Sequence, residues 1–359
     1  MSLSSHSSCP HLTLARMSPS SAENPLVSVI MPVYNAAQYL QESIDSILNQ
    51  SYKNIEFLIY NDGSTDQSAS IVKANTDSRI VFYDSPTNQG YLVHLNSGLS
   101  QAKGKYIARM DADDVAHLER ISRLVSYLEK NPDVGLCGSA VRYIGASQGD
   151  IYLPESNEVI QQTLWLQNAF FHPAVMLRTS VLRANNLFYN PAYEVAEDYK
   201  LWSEMSAFTK LHNLPEVLLD YRIHPHQISR RQSVKQQKIV ATVRQEQMSR
   251  LNIRLAPTQQ QAFELLVSED SWASFQQADY KKVLALLENF GTQAQQVGLS
   301  SNLIDPILGA QWNKILSAAK HYKPTLMPFI LNKLLYKNAS FSTVAKLLVK
   351  SIIHWRTDN

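Results

Sequence analysis

Three carboxylates stand within four positions in YIARMDADDVAHLER (106–120): Asp111, Asp113 and Asp114, with no cation between them. Two like charges about 5 Å apart repel by roughly 0.8 kcal/mol in bulk water, and by several times that at an effective dielectric near 20. A fold relieves this by protonating one group, by hydrogen-bonding it, or by holding a cation between them. Hard divalent ions such as Mg²⁺ and Mn²⁺ take few carboxylates and then recruit phosphate oxygens. A diphosphate-bearing substrate with one such ion would complete the site. The plainer reading has Asp113 or Asp114 cap a helix beginning near Val115, where acidic side chains suit the N-terminus, with Asp111 in solvent.

Two further polar stretches bear on the choice. NDGSTD (61–66) is a second acidic, glycine-containing turn, and Asp66 there is placed to cap a following helix. AEDYKLW (196–202) sets Glu197 and Asp198 just before Tyr199, Leu201 and Trp202, the start of a core-packed helix. Alone, such an acidic pair is a helix N-terminus favoured by the dipole.

The elements that must position these groups alternate along the chain. LVSVIMPVY (26–34) is a nearly continuous apolar run, as in a parallel strand buried on both faces. Tyr39, Leu40, Ile44, Ile47 and Leu48 recur at helical spacing. Strands follow at 55–62, 79–84 and 105–111, with a short helix from Tyr91 to Leu99. This alternation predicts βαβ units and an open parallel sheet with right-handed crossovers. Ligands in such sheets bind beyond the carboxyl ends of the strands, so Tyr34, Asn61, Asp62 and the acidic trio should share one rim. HLERISRLVSYLEKNP (117–132) reads as an amphipathic helix and VGLCGSAVRYI (134–144) as a strand. Residues 155–230 are mixed, and from about Ser233 the pattern is helical.

Composition bounds the rest. With 359 residues, 45% hydrophobic and 18% charged, the chain has room for a sizeable core. A net charge of +2 argues against nucleic acid as a partner. The two cysteines, Cys9 and Cys137, suit a reducing, cytoplasmic protein and make no zinc spacing. Residues 1–24, rich in Ser, read as a disordered leader. No run is long enough to cross a membrane.

VSVIMPVYNAAQYL (27–40), IEFLIYNDGSTD (55–66), NQGYLVHLNSGLSQAKGKYIARMDADD (88–114) and AEDYKLW (196–202) resemble, in this order and spacing, the nucleotide-sugar-dependent family 2 glycosyltransferases of the GT-A fold. LPEVLLDYRIHPHQIS (214–229) extends the resemblance to about residue 230. It implies an α/β, Rossmann-like GT-A domain with a mostly parallel sheet at 25–230, and leaves 231–359 as a helical C-terminal region. It implies inverting transfer of a sugar from a nucleotide-sugar, a UDP-sugar by preference, to a saccharide or lipid-linked acceptor in polysaccharide or lipopolysaccharide synthesis, with Mn²⁺ or Mg²⁺. Position by position, Pro32, Val33 and Tyr34 would wall the nucleobase. Asp62 would accept the base N–H, as suits uracil. Asp111 would face the ribose or the metal's water shell, and Asp113 would bind the metal. Asp198 would be the base with Glu197 beside it, His224 or His226 would approach the metal, and Arg222 would hold phosphate. His172 matches a recurrent position near the acceptor, though a core histidine suits it equally. Leu95 replaces an arginine common in relatives, and Leu118 a proline.

A nucleotidyltransferase acting on sugar phosphates is the rival enzyme class, but its early glycine-rich basic loop is missing from PVYNAAQYL. A non-catalytic nucleotide-sugar-binding module is the other rival. Between His321 and Asn359 stand six Lys or Arg and one Asp. Phe341, Val344, Leu348, Ile352 and Trp355 line one face of a basic amphipathic helix. Such a helix either lies peripherally on an anionic inner membrane surface or covers the core of its own domain.

Overall fold

The computed structural model describes residues 24–225, 233–250, 252, 256–267, 272, 275–296, 308–309, 312–318, 326–332 and 341–352. The leader at 1–23, His226, and the tail residues Lys323, Lys333, Lys337, His354, Trp355 and Arg356 lie outside them.

The first half alternates as the sequence predicts: β1 (Val27–Val33), α1 (Leu40–Leu48), β2 (Ile55–Asp62), α2 (Ser68–Ala74), β3 (Ile80–Ser85), α3 (Tyr91–Gln101) and β4 (Tyr106–Arg109). These strands pair in parallel in the order β3-β2-β1-β4. Both faces of β1 are apolar because both are covered. Val27, Val29, Met31 and Val33 pack on one side with Leu40, Ile44 and Ile47 of α1, Val72 of α2, and Ile121 and Leu124 of α4 (Arg120–Lys130). Ile30 faces the other way, against Leu92, Leu95 and Leu99 of α3.

Beyond β4 the sheet changes character. β6 (Val134–Gly145), β8 (Met176–Arg178) and β9 (Lys210–Ile223) continue it in the order β4-β8-β6-β9, and β7 (Gly149–Ile151) pairs with β6. β8 is antiparallel to both its neighbours, while β6 and β9 run parallel across several register shifts. The expected α/β class holds, with a mixed extension joined to the parallel half.

One expectation fails at the acidic cluster. No helix begins near Val115; Val115–Ala116 is a short strand, β5, antiparallel to Leu219–Asp220 of β9. Helix α4 starts five residues later, with Glu119 before it and no side-chain cap. The trio therefore occupies a turn between two strands, and capping does not explain it.

α5 (Asn157–Thr163), α6 (Thr179–Ala184) and α7 (Glu197–Met205) flank the extension. The C-terminal helices α8 (Ser233–Arg250), α9 (Pro257–Val267), α10 (Gln277–Gln296), α11 (Met327–Ile330) and α12 (Phe341–Ile352) follow. Packing crosses the boundary expected near residue 230. Val243 of α8 is buried with Trp202 and Tyr199 of α7, while Trp165 and Leu166 join Phe263, Tyr280 and Trp312 in the helical core. In α12, Val344 and Leu347 are buried in that core and Leu348 packs against it, whereas Val349 and Ile352 are exposed. Val344, Leu347 and Leu348 thus cover the helical core, while Ile352, expected on the same face, is exposed. No described helix is long and apolar enough to cross a membrane.

Candidate active site

The loop after β1 and the NDGSTD turn are built as one piece. Asn35, at φ +50°, accepts from Thr65 N through Oδ1 (2.8 Å), and its own N–H donates to Ser64 Oγ (3.0 Å). Asp66 accepts from Ala37 N (3.0 Å) and from Ser68 N (2.9 Å), which explains its place at the start of α2. Tyr34 stands above this platform, half exposed, as a rim aromatic free to stack. Val33 does not wall the base with its side chain as expected: residues alternate across a strand, and this side chain is buried in the core beneath β1. Pro32 is partly exposed.

Asp62 is buried at the end of β2, where its two oxygens accept from Gln89 N (2.6 Å) and Gly90 N (3.1 Å). His94 Nε2 lies 2.8 Å from Oδ1. A carboxylate offers about four acceptor positions, so one remains for a base N–H. Gly63 sets this arrangement. At φ +66° it occupies the left-handed region, and a Cβ there would lie 2.5 Å from Asn88 N and Thr87 C. Gly63→Ala is therefore expected to push the 87–90 segment off Asp62, costing roughly 1–3 kcal/mol of stability. Thermal melts should fall and UDP should bind more weakly, which calorimetry checks.

Asp111, Asp113 and Asp114 converge after β4 with one carboxylate oxygen from each within 4.8 Å of the others. Asp114 is buried. Its Oδ1 accepts from Arg222 N (2.8 Å), and its Oδ2 has no partner among the described residues. Burial and the neighbouring carboxylates push the Asp114 carboxyl well up, and burial likewise raises Asp111. His224 Nε2 is 2.7 Å from Asp113 Oδ2, with its ring against Tyr39. An oxygen-only set with an orphaned buried carboxylate oxygen suits a hard divalent ion. Asp111, Asp113 and Asp114 would hold it, with His224 orienting Asp113.

Arg222 braces the acidic turn. Its Nε donates to the Asp113 carbonyl (2.8 Å), its Nη2 lies 2.7 Å from Glu42 Oε2, and its guanidinium covers the Tyr39 ring at 4.5 Å. Through these contacts it clamps the acidic turn. Arg109, the last residue of β4, also meets the trio. Its Nη1 stands 2.5 Å from Asp111 Oδ1, and its buried Nε has no partner among the described residues.

Behind Arg109 lies the second carboxylate pair. Glu197 is buried and accepts from Tyr91 OH (2.9 Å), with His172 Nδ1 at 3.9 Å. Asp198, partly exposed, accepts from Tyr199 N (2.6 Å) and Asn168 Nδ2 (2.7 Å). Burial raises both carboxyls, Glu197 to about 7 with Asp198's charge adding to it, and Asp198 to about 6. His172 bonds Tyr189 OH (2.9 Å) and packs on Trp202. Burial, with Arg109 second, holds its imidazole well below the ordinary range and hence neutral. Tyr91, His94, Asn168 and Tyr189 carry no signal in the sequence alone, because each acts only through partners distant along the chain.

The parallel β3-β2-β1-β4 sheet with its mixed extension is a GT-A fold, and solved structures share that fold. S. aureus TarS 1–349 in complex with UDP-GlcNAc matches with a TM-score of 0.53 at 18% identity, covering 81% of this chain and 88% of that one. The UDP complex of the same protein matches with a TM-score of 0.51 at 17% identity, over 92% and 89%. Residues 28–183 match the model of glycosyl transferase family 2. An uncharacterized glycosyltransferase of Haemophilus influenzae is 38% identical over 238 residues, which is 63% of this chain and 74% of that protein. Another, from Methanocaldococcus jannaschii, is 34% identical over 227 residues, 60% and 77%. The chain belongs to glycosyl transferase family 2 and is a glycosyltransferase.

Proposed function

We propose that this enzyme transfers a sugar, with inversion, from a UDP-sugar to a hydroxyl of a saccharide or lipid-linked acceptor during surface-polysaccharide assembly, and that it requires Mn²⁺ or Mg²⁺. The GT-A unit spans about 25–230 and the helical region 231–359. The observation that carries the reading is an acidic trio with an orphaned buried oxygen at the end of β4, with the separate pair Glu197 and Asp198 near enough that the charge of Arg109 acts on both groups. The uracil assignment is supported by the single acceptor position left on Asp62, and by the UDP and UDP-GlcNAc bound to TarS.

A divalent ion at the trio would neutralise the leaving diphosphate. Asp198 takes the proton of the acceptor hydroxyl, whose oxygen bonds to the anomeric carbon. The bond from that carbon to the diphosphate oxygen breaks, and its electron pair leaves with the nucleoside diphosphate. Attack opposite the departing phosphate inverts the centre. Asp198 suits this role better than Glu197, which is more deeply buried and engaged by Tyr91. Arg109, paired with Asp111, also acts on Glu197 and Asp198 and offsets the charge of both groups.

A panel of UDP- and GDP-sugars assayed with Mn²⁺ or EDTA tests the proposal. Release of UDP from one donor with Mn²⁺, and none with EDTA, is the expected result. Pyrophosphate release, or no turnover with any donor, would count against it.

A further inference from the structure

The segment that presents Asp198 is strained. Val195, three residues before it, has φ +74°, a region that β-branched residues rarely adopt and hold only where their surroundings over-determine it. Two clamps hold it. Its N–H donates to Tyr91 OH (3.2 Å), the hydroxyl that also bonds Glu197, and its carbonyl accepts from Gln236 Nε2 (2.9 Å). Gln236 lies on α8, beyond the matched family segment and beyond the boundary expected near residue 230.

Gln236 is one of a row of α8 contacts along this segment. Lys235 pairs with Glu194, and Glu246 accepts from Tyr193 OH and from Lys200 Nζ (2.6 Å). Lys200 is buried beneath Tyr193, with its ammonium 4.7 Å from that ring. Arg250 donates to the Ser203 carbonyl (3.2 Å). Val243, fully buried against the α7 side of the core, keys the helix in place. These contacts span residues 193–203, bracketing Glu197 and Asp198 and touching neither.

We infer that α8 is a positioning element for the catalytic base, with Gln236 and Glu246 fixing the strained 193–198 segment so that Asp198 meets the acceptor hydroxyl. The inference rests on Asp198 being the base. A base displaced by about an ångström loses on the order of 10²-fold in rate while binding is kept.

Gln236→Leu keeps the side chain's bulk and removes the donor; Glu246→Ala removes the second anchor. In the full chain each should lower kcat for transfer by roughly 10- to 100-fold, with donor KM and UDP affinity within about twofold of the parent. Because Gln236 would act through Asp198, the Asp198→Asn/Gln236→Leu double variant should transfer no more slowly than Asp198→Asn alone. A parental kcat in both single variants would overturn the inference. So would losses that multiply in the double variant, or weaker UDP binding in step with kcat. Should Asp198→Asn itself transfer at the parental rate, the base assignment fails separately. The single variants then still report whether α8 governs turnover.

Discussion

Asp113→Ala will abolish metal-stimulated transfer, a loss of at least about 10²–10³-fold in kcat, the range seen when one preorganised electrostatic contact to developing charge is removed. Mn²⁺ affinity, read by calorimetry or by the paramagnetic signal of the ion, will fall with it. The fold should not suffer. The trio holds its carboxylates within 4.8 Å, a repulsion of about 0.9 kcal/mol in bulk water and about 3 kcal/mol at an effective dielectric of 20. Without metal, the variant should therefore melt no lower than the parent. The parent will gain thermal stability on adding Mn²⁺, as any ligand of the native state confers, and the variant will not. UDP without metal should bind both equally, because Tyr34 and Asp62 lie on the other side of the rim. Parental Mn²⁺ stabilisation in Asp113→Ala would place the ion elsewhere.

The parallel half of the sheet is legible in the sequence for a physical reason. A strand covered on both faces must be apolar throughout, so VSVIMPV and IEFLIY announce themselves without any partner. The rim is legible for a related one: three carboxylates in four positions demand compensation, and few structures provide it. What stays hidden depends on pairing. β5 is two residues and β8 three, too short for any periodicity, and both exist because β9 and β4 supply their hydrogen bonds. Val33 and Tyr34 are neighbours in a motif, yet the pleat sends one into the core and leaves the other exposed. Arg222 sits in the expected motif, but Glu42, 180 positions away, determines where its guanidinium points. Arg109 ends β4, and its ion pair with Asp111 depends on how the turn beyond the strand folds back. Its influence on Glu197 and Asp198 emerges only in the folded chain.

Asp198→Asn will stop transfer while leaving donor binding nearly intact, a loss of about 10²–10⁴-fold in kcat, as general-base removal typically gives. The parental pH profile fixes the reason. Burial raises the Asp198 carboxyl to about 6 and Glu197 to about 7, and the base works only when ionised. Activity should thus fall tenfold per pH unit below that window and flatten above it. Stability runs the other way. A carboxyl whose folded pKa is raised binds its proton more tightly in the native state. The stability it contributes is full below the unfolded carboxylate range near 4 and is lost as pH rises through about 6 to 7. Asparagine removes that titration, so Asp198→Asn should melt higher than the parent at pH 8, with the difference shrinking towards pH 5. A variant that is both slower and more stable at high pH is the signature of a dehydrated base. A lowered melting temperature at pH 8 would mark Asp198 as structural, whatever its effect on rate.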